Sequence, residues 1–222
     1  MPDLLTQELE FRAGAVDAYA ALPHQVDRLR DDSRYQSMST PLRGYTYIAY
    51  NNRRPPLDDP AVRRALGMAI DVPSIIRYVL DGQGDAVTGP FARSTPWYDH
   101  QVPPLPFDPK GALKILHEVG WQRDADGKLR KDGKQLEINL ISNNGNATRK
   151  AVLAIAQDSW SKIGIATNTQ VFEWAVFLED FINPAKFDAV VLGWRLDANP
   201  DLFQLWHSSE IGFSKLNFAQ YE

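Results

Sequence analysis

An α/β fold, with a mostly parallel sheet flanked by helices, is predicted by three observations. Residues 136–193 alternate strand, helix, strand, helix, strand. Two Asp-Pro pairs open amphipathic helices. One alternating aromatic strand, "GYTYIAYN", precedes them. In the β-α-β-α-β stretch, "LEINLIS" is a strand and 148–163 a helix with Val152, Ile155, Ala156, Ser159 and Ile163 on one face. "IATNTQVF" is the next strand, 174–182 the second helix, and "FDAVVLG" the third strand. A helix between consecutive strands favours parallel pairing. In such sheets a ligand meets the loops at the carboxyl ends, here 142–147, 172–174 and 193–199.

The earlier elements follow from local signals. Residues 3–12 suit a helix ending at Gly14. "AVDAYAAL" and "YQSMST" have strand-like character, and "PHQVDRLRDD" suits a short helix. In "GYTYIAYN" Tyr45, Tyr47 and Ala49 share a face. Pro55 and Pro56 impose an extended path. Asp59 then caps a helix with Pro60 at its first position and Val62, Leu66, Ala69 and Ile70 inward. A second short helix spans 71–80, and a Gly/Pro-rich loop spans 82–107. Asp108-Pro109 repeats the start signal, with Leu113 and Leu116 inward and Gly120 as the stop. Asp126-Gly127 and Asp132-Gly133 mark hairpin turns.

Composition excludes several functions. The 222 residues carry a net charge of −4 with no dense basic segment, which argues against nucleic-acid binding. There is no cysteine, hence no disulfide, thiolate metal site or cysteine nucleophile. No apolar run approaches the ~20 residues of a membrane span. His24, His100, His117 and His207 are scattered, so no metal site is expected, and no cofactor motif occurs. A Gly-x-Ser-x-Gly elbow is absent, and Asp59 of the Asp58-Asp59 pair is used as a cap, so an enzyme is not expected. The polar start "MPDLLTQELEFRAG" is unlike a secretory leader, and both ends suggest a piece of a longer chain.

One stretch asks for explanation: "GWRLDANPDLFQLW", which leaves the third strand at Gly193. Asn199-Pro200 supplies a cap and first helical position, with Asp201 in the first turn. Asp197 is left over, beside Trp194 and Arg195. Trp194 as core and Arg195 paired with Asp197 is one reading; contact with a ligand is the other.

With these residues set out, the sequence resembles the family 5 extracellular solute-binding proteins, the dipeptide and oligopeptide binders of bacterial ABC importers. The resemblance lies in four ordered blocks: "YIAYNNRRPPLDDPAVRRALGMAID", "FDPKGALKILHEVGW", "DSWSKIGI" and "FDAVVLGWRLDANPD"; "FRAGAVDAYAALPHQVDRL" adds a looser fifth. It implies a periplasmic-binding-protein-like (type II) lobe with a mixed, mostly parallel sheet. Residues 1–43 would be a lead-in and 44–222 the second lobe, incomplete at its end. It implies a periplasmic location, partnership with the remaining lobe and with an inner-membrane ABC permease, and capture of a small peptide or similar solute, with no nucleic acid, cofactor or metal.

The resemblance also implies roles. Asp197, three residues after Trp194, would meet a peptide α-ammonium. Trp194 and Arg195 would line the site, backbone groups of Gly193–Arg195 would pair with an extended ligand, and Asn143, Asn144 and Trp174 would flank it. Arg63 would form a structural ion pair. Dipeptide binders can carry an Arg for the ligand carboxylate where Asn143 stands, with Arg149 and Lys150 further on, so carboxylate capture is in question. A sensor of the same fold, a binder of a metal complex, glutathione or an oligosaccharide, and an enzyme are the alternatives.

Overall fold

The computed structural model describes residues 4–40, 43–196 and 201–222. The chain opens with α1 (Leu4–Arg12) and α2 (Val26–Arg30), the latter entered through a 3₁₀ turn at Pro23–Gln25. The buried Glu8 joins them. It accepts hydrogen bonds from Arg12 Nε (2.8 Å), Gln25 Nε2 (2.5 Å) and Arg28 Nη2 (2.5 Å). Residues 15–22 and 35–40 form no strand, because neither stretch finds a ladder partner to hold its backbone groups.

The strand β1 (Gly44–Tyr50) runs into an Asn51-Asn52 turn. The Pro55–Pro56 bond is cis, and residues 52–58 turn tightly, with Leu57 N donating to Arg54 O at 2.7 Å; the extended path expected there is replaced by this reversal. Next comes α3 (Pro60–Met68), capped by the Asp59 carboxylate, which accepts from Ala61 N at 2.8 Å. Arg63 is structural, as expected, but not through an ion pair: its Nη1 donates to the carbonyls of Leu57 (2.7 Å) and Asp58 (3.1 Å). Then α4 (Val72–Ser74) widens into a π-helical turn over Ile75–Val79. The long loop leads to α5 (Pro109–Glu118), capped by Asp108 through Gly111 N.

A small antiparallel sheet follows: β2 (Gln122–Arg123), β3 (Leu129–Lys131) and β4 (Lys134–Gln135). Its β3–β4 turn has Asp132 and Gly133 both at positive φ, 50° and 75°, the backbone that a two-residue hairpin turn requires.

The main sheet is completed by β5 (Glu137–Asn143), α6 (Ala147–Lys162), β6 (Ala166–Phe172), α7 (Trp174–Val176, widening over Phe177–Ile182) and β7 (Ala189–Arg195). The strand order is β1-β7-β5-β6. The strands β7, β5 and β6 are parallel, and β1 lies antiparallel along β7 from Gly44↔Arg195 to Tyr50↔Ala189. The predicted mostly parallel α/β lobe is therefore the observed one. The short helix α8 (Phe203–Trp206) comes last. Its first turn is served by Asp201, whose carboxylate accepts from Phe203 N at 2.9 Å; Asn199 and Pro200, expected to start this helix, lie outside the described residues.

Two cores form, one on each face. Strand alternation sends Ile138, Leu140, Ala189 and Val191 to one side, where α3, α5 and α6 cover them. The inward residues of α6 are Val152, Leu153, Ala156 and Trp160. Ile155 and Ser159, expected inward, are only half-buried, because the helix is rotated to seat Trp160. Trp160 is fully buried and its indole donates to Leu66 O at 3.0 Å, fixing α6 to α3. The other face carries Ile141, Val190 and Leu192 against Phe177, Ile182, Phe187 and Phe218. Asn52 binds the returning chain to the sheet: its backbone N and its Nδ2 both donate to Ala219 O, at 2.9 and 2.7 Å.

Candidate functional site: the crevice between β5 and β7

The connections create an opening. The chain leaves β5 through α6 to β6 on one side, then crosses through α7 to β7 on the other side of β5. With helices on opposite faces, such a switch point is where open α/β sheets offer a ligand crevice. The ladder parts there. The β5–β7 pairing ends at Ile141↔Val190, followed only by Ser142 Oγ donating to Val191 O at 2.9 Å. On the other side of β5, pairing with β6 continues to Asn143↔Phe172. Asn143 and Gly193 thus flank the opening.

The expected site residues gather here to different degrees. Trp194 is half-buried, stacked on Tyr47 at 6.4 Å with 16° between planes, and 5.9 Å from Phe218. It is both core and wall: the packing fixes the ring, and its uncovered part borders the strand end. Gly44 permits the close approach of β1 there, since a Cβ at that position would sit 2.5 Å from Trp194 O. Arg195, opposite Gly44, is exposed. Asn143 is half-buried and Asn144 exposed; Asn143 Nδ2 donates to Asn144 O at 2.6 Å. Trp174 is 45% exposed with its ring 6.0 Å from Phe177. It stands past the end of β6, two strands from β7, roughly 10 Å across the sheet. Asp197 lies outside the described residues.

Arg149 is the addition. It sits in the first turn of α6, yet its side chain reaches back over the strand ends. Nη1 donates to Asn143 Oδ1 at 2.6 Å, and Nη2 lies 3.5 Å from where a Gly193 Cβ would be. Burial lowers its pKa from the ordinary arginine value, an effect partly opposed by Tyr47. The hydroxyls of Tyr45 and Tyr47 are buried without a hydrogen-bond partner among the described residues. Burial pushes Tyr45 up to about 12 and raises Tyr47 as well. One signal in the sequence could have singled Arg149 out: it stands three residues after the cap Asn146, where a helix prefers Glu or Gln, and a cation there opposes the helix dipole.

Among the described residues no cluster of three or more His, Asp or Glu could hold a metal, and no helix is long and apolar enough to cross a membrane. The arrangement has an aromatic wall, strand-end backbone and two cations, the exposed Arg195 and the half-buried Arg149.

The sequence matches the family described as bacterial extracellular solute-binding proteins, family 5, over residues 1–212. It is 38% identical over 183 residues to the oligopeptide-binding protein AppA of Bacillus subtilis, covering 80% of this chain and 33% of that protein. It is 30% identical to heme-binding protein A of Haemophilus influenzae, covering 97% of this chain and 39% of that one. Among solved structures, AppA in complex with a nonapeptide superposes with a TM-score of 0.86 at 32% identity, over 100% of this chain and 45% of AppA. NikA from Brucella suis in complex with Fe(III)-EDTA gives 0.85 at 26%, over 99% of this chain and 45% of NikA. The chain spans between a third and half of the length of these relatives. By the family match over residues 1–212 and its similarity to AppA, the chain belongs to the family 5 bacterial extracellular solute-binding proteins.

Proposed function

We propose that this chain forms part of the substrate-binding component of an ABC importer, working in the periplasm and delivering its solute to an inner-membrane permease. Residues 44–222 are the second lobe and 1–43 a lead-in. The solute is held between this lobe and the rest of the polypeptide, and closure of the two lobes is the signal the permease reads. The protein binds its solute without turning it over. What supports this reading is the parting of β5 and β7 beyond Ile141↔Val190, beside Trp194 and the end of β7 at Gly193–Arg195, which is paired with β1 but not with β5.

The solute we favour is a peptide. The β7 end offers main-chain groups to an extended chain, and the partly uncovered Trp194 offers an apolar surface that does not discriminate among side chains. By its spacing from Trp194 and by the family resemblance, Asp197 is the residue for the α-ammonium. Charge-assisted hydrogen bonds of that kind contribute about 1.5–3 kcal/mol each. A second reading, a non-peptide solute, is favoured by the relatives: heme and Fe(III)-EDTA belong to two of them. A nonapeptide, heme and Fe(III)-EDTA share one chemical feature, the carboxylate.

Calorimetry on the polypeptide that carries this chain tests the peptide reading. Peptides with a free N-terminus should bind, and Asp197→Asn should weaken them by about 10–100-fold. Equal affinity for N-acetylated peptides would remove the amine role from Asp197.

A further inference from the structure

We propose that Asn144 is a self-modifying residue: its side-chain amide is converted to a carboxylate through attack by the Gly145 main-chain nitrogen, a deamidation that needs only water. The inference does not depend on which solute the crevice takes.

Three observations converge. The first is the pair itself. Of the asparagines in the chain, Asn144 alone precedes glycine. An attacking main-chain nitrogen is hindered by the side chain of its own residue, and Gly145 has none. It stands at a φ of +77°, and a Cβ built there would meet no heavy atom beyond its chain neighbours within 4 Å, so the surroundings leave room for a ring to close. The second is freedom. Both residues are exposed. Among the described residues Gly145 N donates no hydrogen bond, and the Asn144 carboxamide has no partner. Only the main-chain atoms of Asn144 are engaged, N donating to Phe172 O at 2.7 Å and O accepting from Asn143 Nδ2 at 2.6 Å. The third is contrast. Every other described asparagine except Asn183 is held through its side chain, Asn143 and Asn146 on either side included. Asn183 precedes Pro184, which has no N–H to give up.

The steps balance with water as the sole co-reactant. Hydroxide takes the Gly145 N–H proton, and the nitrogen attacks Asn144 Cγ. A new C–N bond forms, the C–N bond of the carboxamide breaks, and the amide nitrogen leaves as ammonia with a proton from water. The cyclic imide then takes up water. Opening at the side-chain carbonyl gives aspartate at position 144. Opening at the main-chain carbonyl gives isoaspartate, in which the main chain runs through the former side-chain carbons.

Both products place a negative charge at the end of β5, beside the crevice. The isoaspartyl form also adds a methylene to the main chain between Asn143 and Asn146. These two residues hold Arg149: Asn143 Oδ1 accepts from its Nη1 at 2.6 Å, and Asn146 Oδ1 accepts from its N at 2.9 Å. The added length therefore loosens the start of α6.

The test incubates the folded polypeptide carrying this chain in mildly alkaline buffer and follows each asparagine by peptide mapping and mass spectrometry. A free peptide of residues 142–148 is incubated in parallel. Position 144 should turn acidic, as a mixture of aspartate and isoaspartate, at least about tenfold faster than Asn143 or Asn146 and within about tenfold of the free peptide. Asn144→Gln should abolish the conversion, and Gly145→Ala should slow it by about tenfold or more. Retention of the amide in the folded protein while the free peptide converts overturns the proposal, and so does equal conversion of Asn143, Asn144 and Asn146. Circular dichroism checks the fold of Gly145→Ala; if that variant does not fold, the comparison among the asparagines of the unsubstituted protein decides.

Discussion

The two faces of the sheet differ in how they are filled. One is aliphatic and covered: Leu66, Leu116, Leu140, Ala156 and Val191 meet α3, α5 and α6, and Trp160 closes the layer with its indole bonded across to α3. The other is aromatic and partly open. Phe177, Phe187 and Phe218 form its floor, while Trp174, Phe203, Phe213 and Tyr221 remain exposed around it. An aliphatic layer maximises close packing, and its residues have no further use for their surfaces. An aromatic layer keeps flat faces and polar tips available at its rim. The difference separates the closed face that stabilises the lobe from the one that borders the proposed site.

Substitutions that shorten side chains on the two faces should therefore part in both size and kind. Leu66→Ala, at a fully buried position, should cost about 2–5 kcal/mol in denaturant unfolding and leave the affinity of the remaining folded protein unchanged. Trp194→Ala should cost less, about 1–2 kcal/mol, because the ring is only half-buried, yet it should lower ligand affinity. A result in which Trp194→Ala matched Leu66→Ala in stability and left binding alone would make the aromatic face a second core and nothing more. The smallest effect concerns alkali. Tyr45 and Tyr47 have hydroxyls raised by burial, Tyr45 to about 12, whereas an unfolded tyrosine ionises near 10. Above pH ~10 the unfolded chain loses these protons first, so stability present below that pH falls as pH rises toward about 12. The unfolding midpoint at pH 11 should drop relative to pH 9, and Tyr45→Phe should lessen the drop.

Much of this was legible in the chain because the signals are local. Asp59-Pro60 and Asp108-Pro109 announce helices through a cap and a missing N–H, chemistry complete within four residues. The alternation from 137 to 195 points to parallel strands because a helical crossover returns the chain to the same end of the sheet. What was not legible depends on distant partners. Residues 15–22 and 35–40 have strand composition, but a strand exists only where another edge accepts it. The rotation of α6 follows from a pocket for Trp160 that α3 builds. The site divides the same way. Gly193, Trp194 and Asn143 follow from where strands end. The position of Arg149 over those ends follows from how far β5 and β7 diverge, a property of the sheet and of no single segment.

The Asn52 clasp on Ala219 has a consequence in time. Its partners are 167 residues apart, so the aromatic face is sealed by a contact that closes nearly the whole length of the chain. Loop closure over that span is entropically slow, whereas α6 meets the neighbouring β5 and β6 after short searches. The packing of α6 on β5 and β6 can form while the chain is still growing; the aromatic face can be finished only after the last strand and the segment beyond it have returned. Within this lobe, the aromatic face is the last part to become ordered.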